Sequence, residues 1–77
     1  MRRKHTEEDI QFLRAFGERV RILRENAGLT QADLETDAKM SKNQIGRIER
    51  GEISTSITNL NLIAKALNLK AKDFFDF

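Results

Sequence analysis

Residues 28–51 carry two short helical patterns separated by only a few residues. The first pattern, Gln31–Ala38, follows Thr30, and the second, residues 42–50, follows Ser41. Ser and Thr favour the position before a helix because the side-chain oxygen accepts a hydrogen bond from a free backbone N–H of the first turn. Two caps this close leave room only for a tight turn, so the stretch predicts two short helices packed against each other.

Two helices joined in this way form the helix-turn-helix motif, whose second helix enters the DNA major groove. A rotation of about 100° per residue along the second helix places Ile45 and Ile48 on one side. The opposite side carries Asn43, Gly46, Arg47 and Arg50, with Lys42 at its N-terminal rim and Gln44 at its border. Lys and Arg read guanine, Asn reads adenine, and all three reach phosphates. On this helix alone, a solvated basic face is an equal alternative.

The whole chain has the size of one domain, and residues 1–77 are interpreted as a single helix-turn-helix domain. It has no Cys and a single His, His5, which excludes a disulfide framework and a thiolate metal site. No apolar run approaches the length of a membrane span, so we expect a soluble, cytoplasmic protein. The net charge is only +2, but residues 12–24 hold four arginines against one glutamate. Such segregation favours one DNA-facing side.

The chain before the motif predicts one long amphipathic helix. Residues 1–5 are expected to be disordered, and Thr6 is expected to cap a helix that ends near Asn26, before Gly28. Its predicted buried stripe consists of Leu13, Phe16, Val20, Leu23 and Ala27, widened by Phe12 and Ile22. Residues 10–13 are more apolar than one small domain needs, which makes them a candidate contact for a partner chain.

The chain after the motif predicts two more helices and no strand. Ser56 is expected to cap a helix over residues 57–67, which ends at Asn68. A short last helix is predicted for Ala71–Phe75. Together with the preceding three, this gives five helices.

Four segments also keep the spacing of a known family. They read FGERVRILRENAGLTQ, DL, MSKNQIGRIERG and ITNLNLIAKALNLKAKDFF, within residues 16–75. This combination resembles the phage repressor and Cro family, also called the Xre family. The resemblance implies an all-α, compact five-helix, lambda-repressor-like domain. It also implies a sequence-specific transcriptional regulator that binds an inverted-repeat operator on double-stranded DNA as a homodimer, such as a phage-type repressor or a restriction–modification controller protein.

The resemblance further implies roles for individual residues. Base-edge contacts are implied for Ser41, Lys42, Asn43 and Arg47. Phosphate or flanking contacts are implied for Gln31, Gln44 and Arg50. A buried structural ion pair between the first helix and the second motif helix is implied for Arg24 and Glu49.

Three residues depart from the family pattern. Glu35 stands where the family usually has Ala, and it is expected either to tilt the two motif helices or to reach toward Lys39. Lys39 stands where Gly usually supplies a left-handed turn, at a cost of about 1 kcal/mol. Gly46 replaces a polar residue within the second helix, which weakens that helix by ~1 kcal/mol.

The C-terminal aromatic residues indicate a partner surface. Phe74 is expected in the core, and Phe75 and Phe77 cannot both turn inward beside it in so short a helix. We assign Phe75 and Phe77, together with Leu69, to a dimer interface. A frayed apolar terminus is the alternative.

Other classes of function have weaker support. The sequence has no Gly-rich phosphate loop, no nucleophile paired with a base and no metal-ligand set, so we expect no enzyme activity, metal, cofactor or small-molecule ligand. A protein-interaction module of the same fold, such as an antitoxin, is the main rival, although only about two residues follow the last predicted helix. An adaptor that had lost DNA binding is not expected to keep Lys42, Asn43 and Arg47.

Overall fold

A computed structural model describes residues 4–77 as four α-helices followed by a 3-10 helix, with no strand among them. The elements are α1 (Glu7–Asn26), α2 (Gln31–Ala38), α3 (Gln44–Glu49), α4 (Ile57–Ala66) and the 3-10 helix (Ala71–Phe75). The prediction of an all-α fold is confirmed, with the difference that the last helix is a 3-10 helix. Of the segment predicted to be disordered, residues 1–3 lie outside the described residues.

Three of the α-helices begin directly after the hydroxyl residue that the sequence predicted as their cap. Thr6 and Thr30 accept the backbone N–H of Asp9 and Asp33 at 3.1 and 3.0 Å. The two aspartates in turn accept the backbone N–H of their threonines, which completes a capping box at each helix. Bonding to the backbone of Thr30 holds the pKa of the Asp33 carboxyl below its ordinary value. Ser56 caps α4 through its side chain.

Each α-helix is followed by one residue in the left-handed conformation. These residues are Gly28, Lys39, Gly51 and Asn68. After α2, the Lys39 N–H donates to the Thr36 carbonyl at 3.2 Å and the Met40 N–H donates to the Glu35 carbonyl at 2.9 Å. This pair of bonds is a Schellman motif, which requires the left-handed residue. Lys39 has a φ of 56°, so the expected left-handed turn is confirmed.

The start of α3 differs from the prediction. The helix begins at Gln44, two residues later than expected, and Ser41 does not cap it. Asn43 has a φ of 70°, which an α-helix does not accommodate, so Lys42 and Asn43 form a turn instead. Ser41 contributes its backbone carbonyl, which accepts the Gln44 N–H at 3.2 Å.

The core lies where the four α-helices and the 3-10 helix pack against one another. α1 packs on α3 and on the 3-10 helix, while α2 packs on α3 and α4. The buried apolar side chains are Phe16, Val20, Leu34, Ala38, Ile45, Ile48, Leu60, Ile63, Ala64, Leu67 and Phe74. Phe12, Ile22 and Ala27 of the predicted stripe are exposed. The stripe of α1 is narrower than expected because its main packing partners, α3 and the 3-10 helix, cover only part of this helix.

Gly17 allows α1 to approach α3 closely. A Cβ at this position would lie 2.6 Å from the carbonyl oxygen of Glu49 and would also clash with the carbonyl of Ile48. Backbone atoms cannot move aside as the end of a side chain can, so a larger residue would push the two helices apart. Gly17 therefore determines where the C-terminal part of α3 sits, a role that sequence reasoning missed.

Candidate nucleic-acid interface

The N-terminal end of α3 and the turn before it present one polar surface to solvent. Ser41, Lys42, Asn43, Gln44 and Arg47 line a shallow depression together with Ile53. Gln44 is half-buried and the other four polar residues are exposed. We call these five polar residues, together with the exposed Arg50, the polar face. The structure thus brings together five of the predicted DNA-contacting residues around one depression.

Gly46 is buried, although the sequence placed it on the outward side of α3. A Cβ on Gly46 would lie 3.1 Å from Gln31 Oε1 and 3.0 Å from Arg50 Nη1. The space left by the missing side chain is therefore taken by the side chains of Gln31 and Arg50. Absence of a Cβ at this position lets these two predicted phosphate-contacting residues come together over α3.

Glu49 joins α3 to α1 through buried hydrogen bonds and to α2 through a partly buried one. Its carboxylate accepts from Arg24 Nε at 2.6 Å, from Arg24 Nη2 at 3.1 Å and from Gln31 Nε2 at 2.9 Å. Arg24 Nη1 also donates to the Leu29 carbonyl at 2.7 Å. The bond to Glu49 raises the pKa of the Arg24 guanidinium above its ordinary value. We call Arg24, Gln31 and Glu49 the Glu49 network.

Glu52 brings a carboxylate to the C-terminal edge of the polar face. Its carboxylate accepts from Arg50 Nε at 2.6 Å and lies 3.9 Å from Arg47 Nε. The hydrogen bond from Arg50 lowers the pKa of Glu52, and the same bond raises the pKa of Arg50. Sequence reasoning found no acid on the outward side of the helix and did not consider Glu52, which follows the glycine that ends it. The acid two residues after Arg50 was the available signal.

Glu35 turns inward between α2 and α3. The residue is only 9% exposed, and its carboxylate accepts the backbone N–H of Ile45 at 3.2 Å. Of the two alternatives predicted for Glu35, the reach toward Lys39 is therefore wrong. The N–H groups at a helix start lack intrahelical partners, and this attracts the carboxylate to α3.

A separate apolar surface lies where α1, the start of α4 and the C-terminus meet. Its members Phe12, Ile57, Phe75 and Phe77 are 52%, 85%, 48% and 57% exposed. The ring centroids of Phe12 and Phe77 are 5.6 Å apart, and those of Phe75 and Phe77 are 6.4 Å apart. Phe12, Ile57 and Phe75 line an open groove. We call these four residues the apolar patch; Leu69 is instead half-buried against the core.

The profile of a family described as helix-turn-helix matches residues 20–74. The chain belongs to this helix-turn-helix family. The match confirms the resemblance to Xre-like domains, so the chain is a DNA-binding transcriptional regulator.

This helix-turn-helix protein is similar to two control proteins. It is 35% identical over 63 residues to Control protein C.BamHI from Bacillus amyloliquefaciens, a match that covers 80% of this chain and 78% of that protein. Its fold matches the crystal structure of the restriction–modification controller protein C.AhdI from Aeromonas hydrophila with a TM-score of 0.83 and 32% identity. That match covers 84% of this chain and 98% of the other.

Residues 4–77 contain neither a membrane-spanning helix nor a metal-binding cluster. None of the helices there is long and apolar enough to cross a membrane. No cluster of His, Cys, Asp or Glu in the same range has the arrangement needed to hold a metal ion.

Proposed function

We propose that this helix-turn-helix protein is a restriction–modification controller that binds an inverted-repeat DNA operator as a homodimer. The observation that carries the proposal is the polar face, where exposed cationic and amide side chains surround the start of α3. Similarity to C.BamHI and C.AhdI, both described as control or controller proteins, supports the same role.

Base contacts are assigned to the N-terminal part of the polar face. Arg47 and Lys42 are suited to guanine O6 and N7, and Asn43 is suited to adenine N6 and N7. Ser41 lines the same depression and can donate or accept a hydrogen bond. In helix-turn-helix proteins this end of the second helix enters the major groove.

Phosphate contacts are assigned to Gln31, Gln44 and Arg50. The Gln31 carboxamide gives one of its two N–H hydrogens to Glu49 and keeps the other for a phosphate. The Gln44 side-chain oxygen accepts the backbone N–H of Ser41 at 3.4 Å, which leaves the side-chain nitrogen available to donate. Arg50 can exchange its exposed pairing with Glu52 for a phosphate oxygen.

The apolar patch supports a two-fold dimer. A two-fold axis brings the same patch of each protomer together, so exposed apolar side chains on one copy are covered by those on the other. Phe75 and Phe77 keep their assignment to this interface, and Phe12 and Ile57 join them. Leu69 is expected to contribute less because it already packs against the core.

Selection of bound sequences from a random DNA pool, at one stated salt concentration, tests operator binding. The expected result is an inverted repeat whose half-site centres lie about one helical turn apart. Failure of the folded protein to enrich any sequence would contradict the proposal and favour a protein partner, as for an antitoxin.

Sedimentation of variants tests the dimer. Ile57→Ser is expected to convert dimers into monomers at micromolar concentration without changing helical content, because Ile57 is almost fully exposed in the single chain. Leu62→Ser is the matched control on the same helix, since Leu62 lies outside the apolar patch and is 39% exposed. Monomers for both variants and the wild type would contradict the dimer.

A further inference from the structure

The N-terminal end of α3 is held by a side chain from α2 rather than by the residue that precedes the helix. Asn43 occupies the capping position in the left-handed conformation and makes no side-chain capping bond. The carboxylate of Glu35 instead accepts the N–H of Ile45, in the first turn of α3, at 3.2 Å. This bond joins two helices across ten positions of sequence and is buried.

Glu35 also fixes the end of α2. Its backbone carbonyl accepts the Met40 N–H at 2.9 Å, within the Schellman motif that ends the helix. One residue therefore holds both sides of the turn between α2 and α3, through its carbonyl on one side and its carboxylate on the other. The turn carries Ser41, Lys42 and Asn43, half of the polar face.

A cap from another helix changes what Asn43 can do. An Asn that caps its own helix uses its side-chain oxygen on a backbone N–H of the first turn. That oxygen is then not free for the bidentate contact by which Asn reads adenine. Because Glu35 supplies an acceptor to α3, the carboxamide of Asn43 is exposed and free for DNA.

We propose that Glu35 is a positioning residue for DNA recognition, which caps α3 from α2 and thereby holds Ser41, Lys42 and Asn43 in place to read bases. This inference rests on the proposed function. Base contacts require defined geometry, whereas attraction to phosphates is independent of sequence and tolerates a loosened turn. Loss of the cap should therefore weaken binding to the operator more than binding to random DNA.

Two variants with uncharged side chains of similar length separate the effect of the hydrogen bond to Ile45 from that of the Glu35 charge. Glu35→Gln keeps an acceptor oxygen, and Glu35→Met fills the same space without one. Binding of the selected inverted repeat and of random DNA of equal length is measured at one salt concentration, at a temperature where all proteins are fully folded by circular dichroism. Amide hydrogen exchange at Ile45 reports the cap directly.

Glu35→Met is expected to weaken operator binding on the order of tenfold, the effect of losing one helix cap, and to leave random-DNA binding unchanged. Exchange at the Ile45 amide should become faster in the same variant. Glu35→Gln is expected to stay within about threefold of the wild type on the operator, because its amide oxygen still accepts the bond.

Equal operator binding by both variants and the wild type, or equal losses in both variants, would overturn this inference alone. Equal losses on operator and random DNA in Glu35→Met would also overturn it. A wild-type protein that selects no operator would overturn the proposed function and this inference together.

Discussion

The two ends of α3 are held by different means. Its C-terminal end is locked by the buried Glu49 network and by the close approach of α1 at Gly17. Its N-terminal end follows a turn with two left-handed residues, Lys39 and Asn43, and is held by the carboxylate of Glu35. The buried end therefore sets the position of the helix, and the exposed end presents the side chains that we propose read DNA.

The largest expected effect comes from breaking the buried end. Glu49→Ala should lower the free energy of unfolding by about 3–5 kcal/mol, because the Arg24 guanidinium stays buried without its partner. Urea unfolding measures the change. The double variant Arg24→Met with Glu49→Leu should lose much less, since no lone charge remains buried. Similar losses in both proteins would contradict this explanation.

Two glycines inside helices should respond in opposite ways. Gly17→Ala should destabilise the fold by about 1–3 kcal/mol, because the new methyl group meets backbone carbonyls of α3. Gly46→Ala is the matched control and should stabilise it by up to ~1 kcal/mol, since only the ends of Gln31 and Arg50 must move. Thermal unfolding temperatures of the two variants, compared with that of the wild type, test both predictions. Stabilisation by Gly17→Ala would show that α1 and α3 do not touch there.

A glycine in the turn between α2 and α3 should make the folded protein more stable. Lys39→Gly is expected to raise the free energy of unfolding by about 1 kcal/mol, because the left-handed conformation costs Lys more than Gly. Asp37→Gly, within α2, should lower it by a similar amount and serves as the control. Destabilisation by both variants in urea would contradict the left-handed turn at Lys39.

The smallest expected effect concerns acid pH at the start of α2. The folded state holds the pKa of Asp33 below its ordinary value of 3.8, so it favours the charged carboxylate. The stability that this carboxylate contributes is present above pH 3.8, the ordinary pKa. It is lost as the pH falls from there to the lower pKa of Asp33 in the folded state. Asp33→Asn should remove this part of the dependence of stability on acid pH. Thermal unfolding temperatures measured from about pH 2 to about pH 7, on both sides of the ordinary carboxyl pKa of about 4, test this.

Asp37→Asn on the same helix should keep the acid dependence contributed by Asp33. An unchanged pH profile for Asp33→Asn would show that this carboxylate does not cap α2 in solution.

The sequence predicted the start of α2 correctly and the start of α3 incorrectly for a physical reason. Thr30 and Asp33 cap each other within four residues, so all the atoms involved are close in sequence. Ser41 and Gln44 have the same spacing, but the cap of α3 comes from Glu35, which only the fold brings near.

The close contacts made at two glycines were also hidden in the sequence. In the sequence, Gly17 is only a poor helix former, whereas in the structure α3 packs directly against it. The sequence places Gly46 on an exposed side, whereas in the structure Gln31 and Arg50 cover it. Local periodicity did predict the inward positions of Ile45 and Ile48, because a helix facing a core needs a regular apolar side.

The proposed function requires that Ser41, Lys42, Asn43 and Arg47 read bases while Gln31 contacts the DNA backbone. Its most direct test compares binding of Arg47→Ala and Gln31→Ala to the operator, to operators changed at one base pair, and to random DNA at one salt concentration. Arg47→Ala should lose about 1–3 kcal/mol of discrimination at one base pair, whereas Gln31→Ala should weaken binding to all sequences alike. Equal losses on operator and random DNA for Arg47→Ala would contradict the claim.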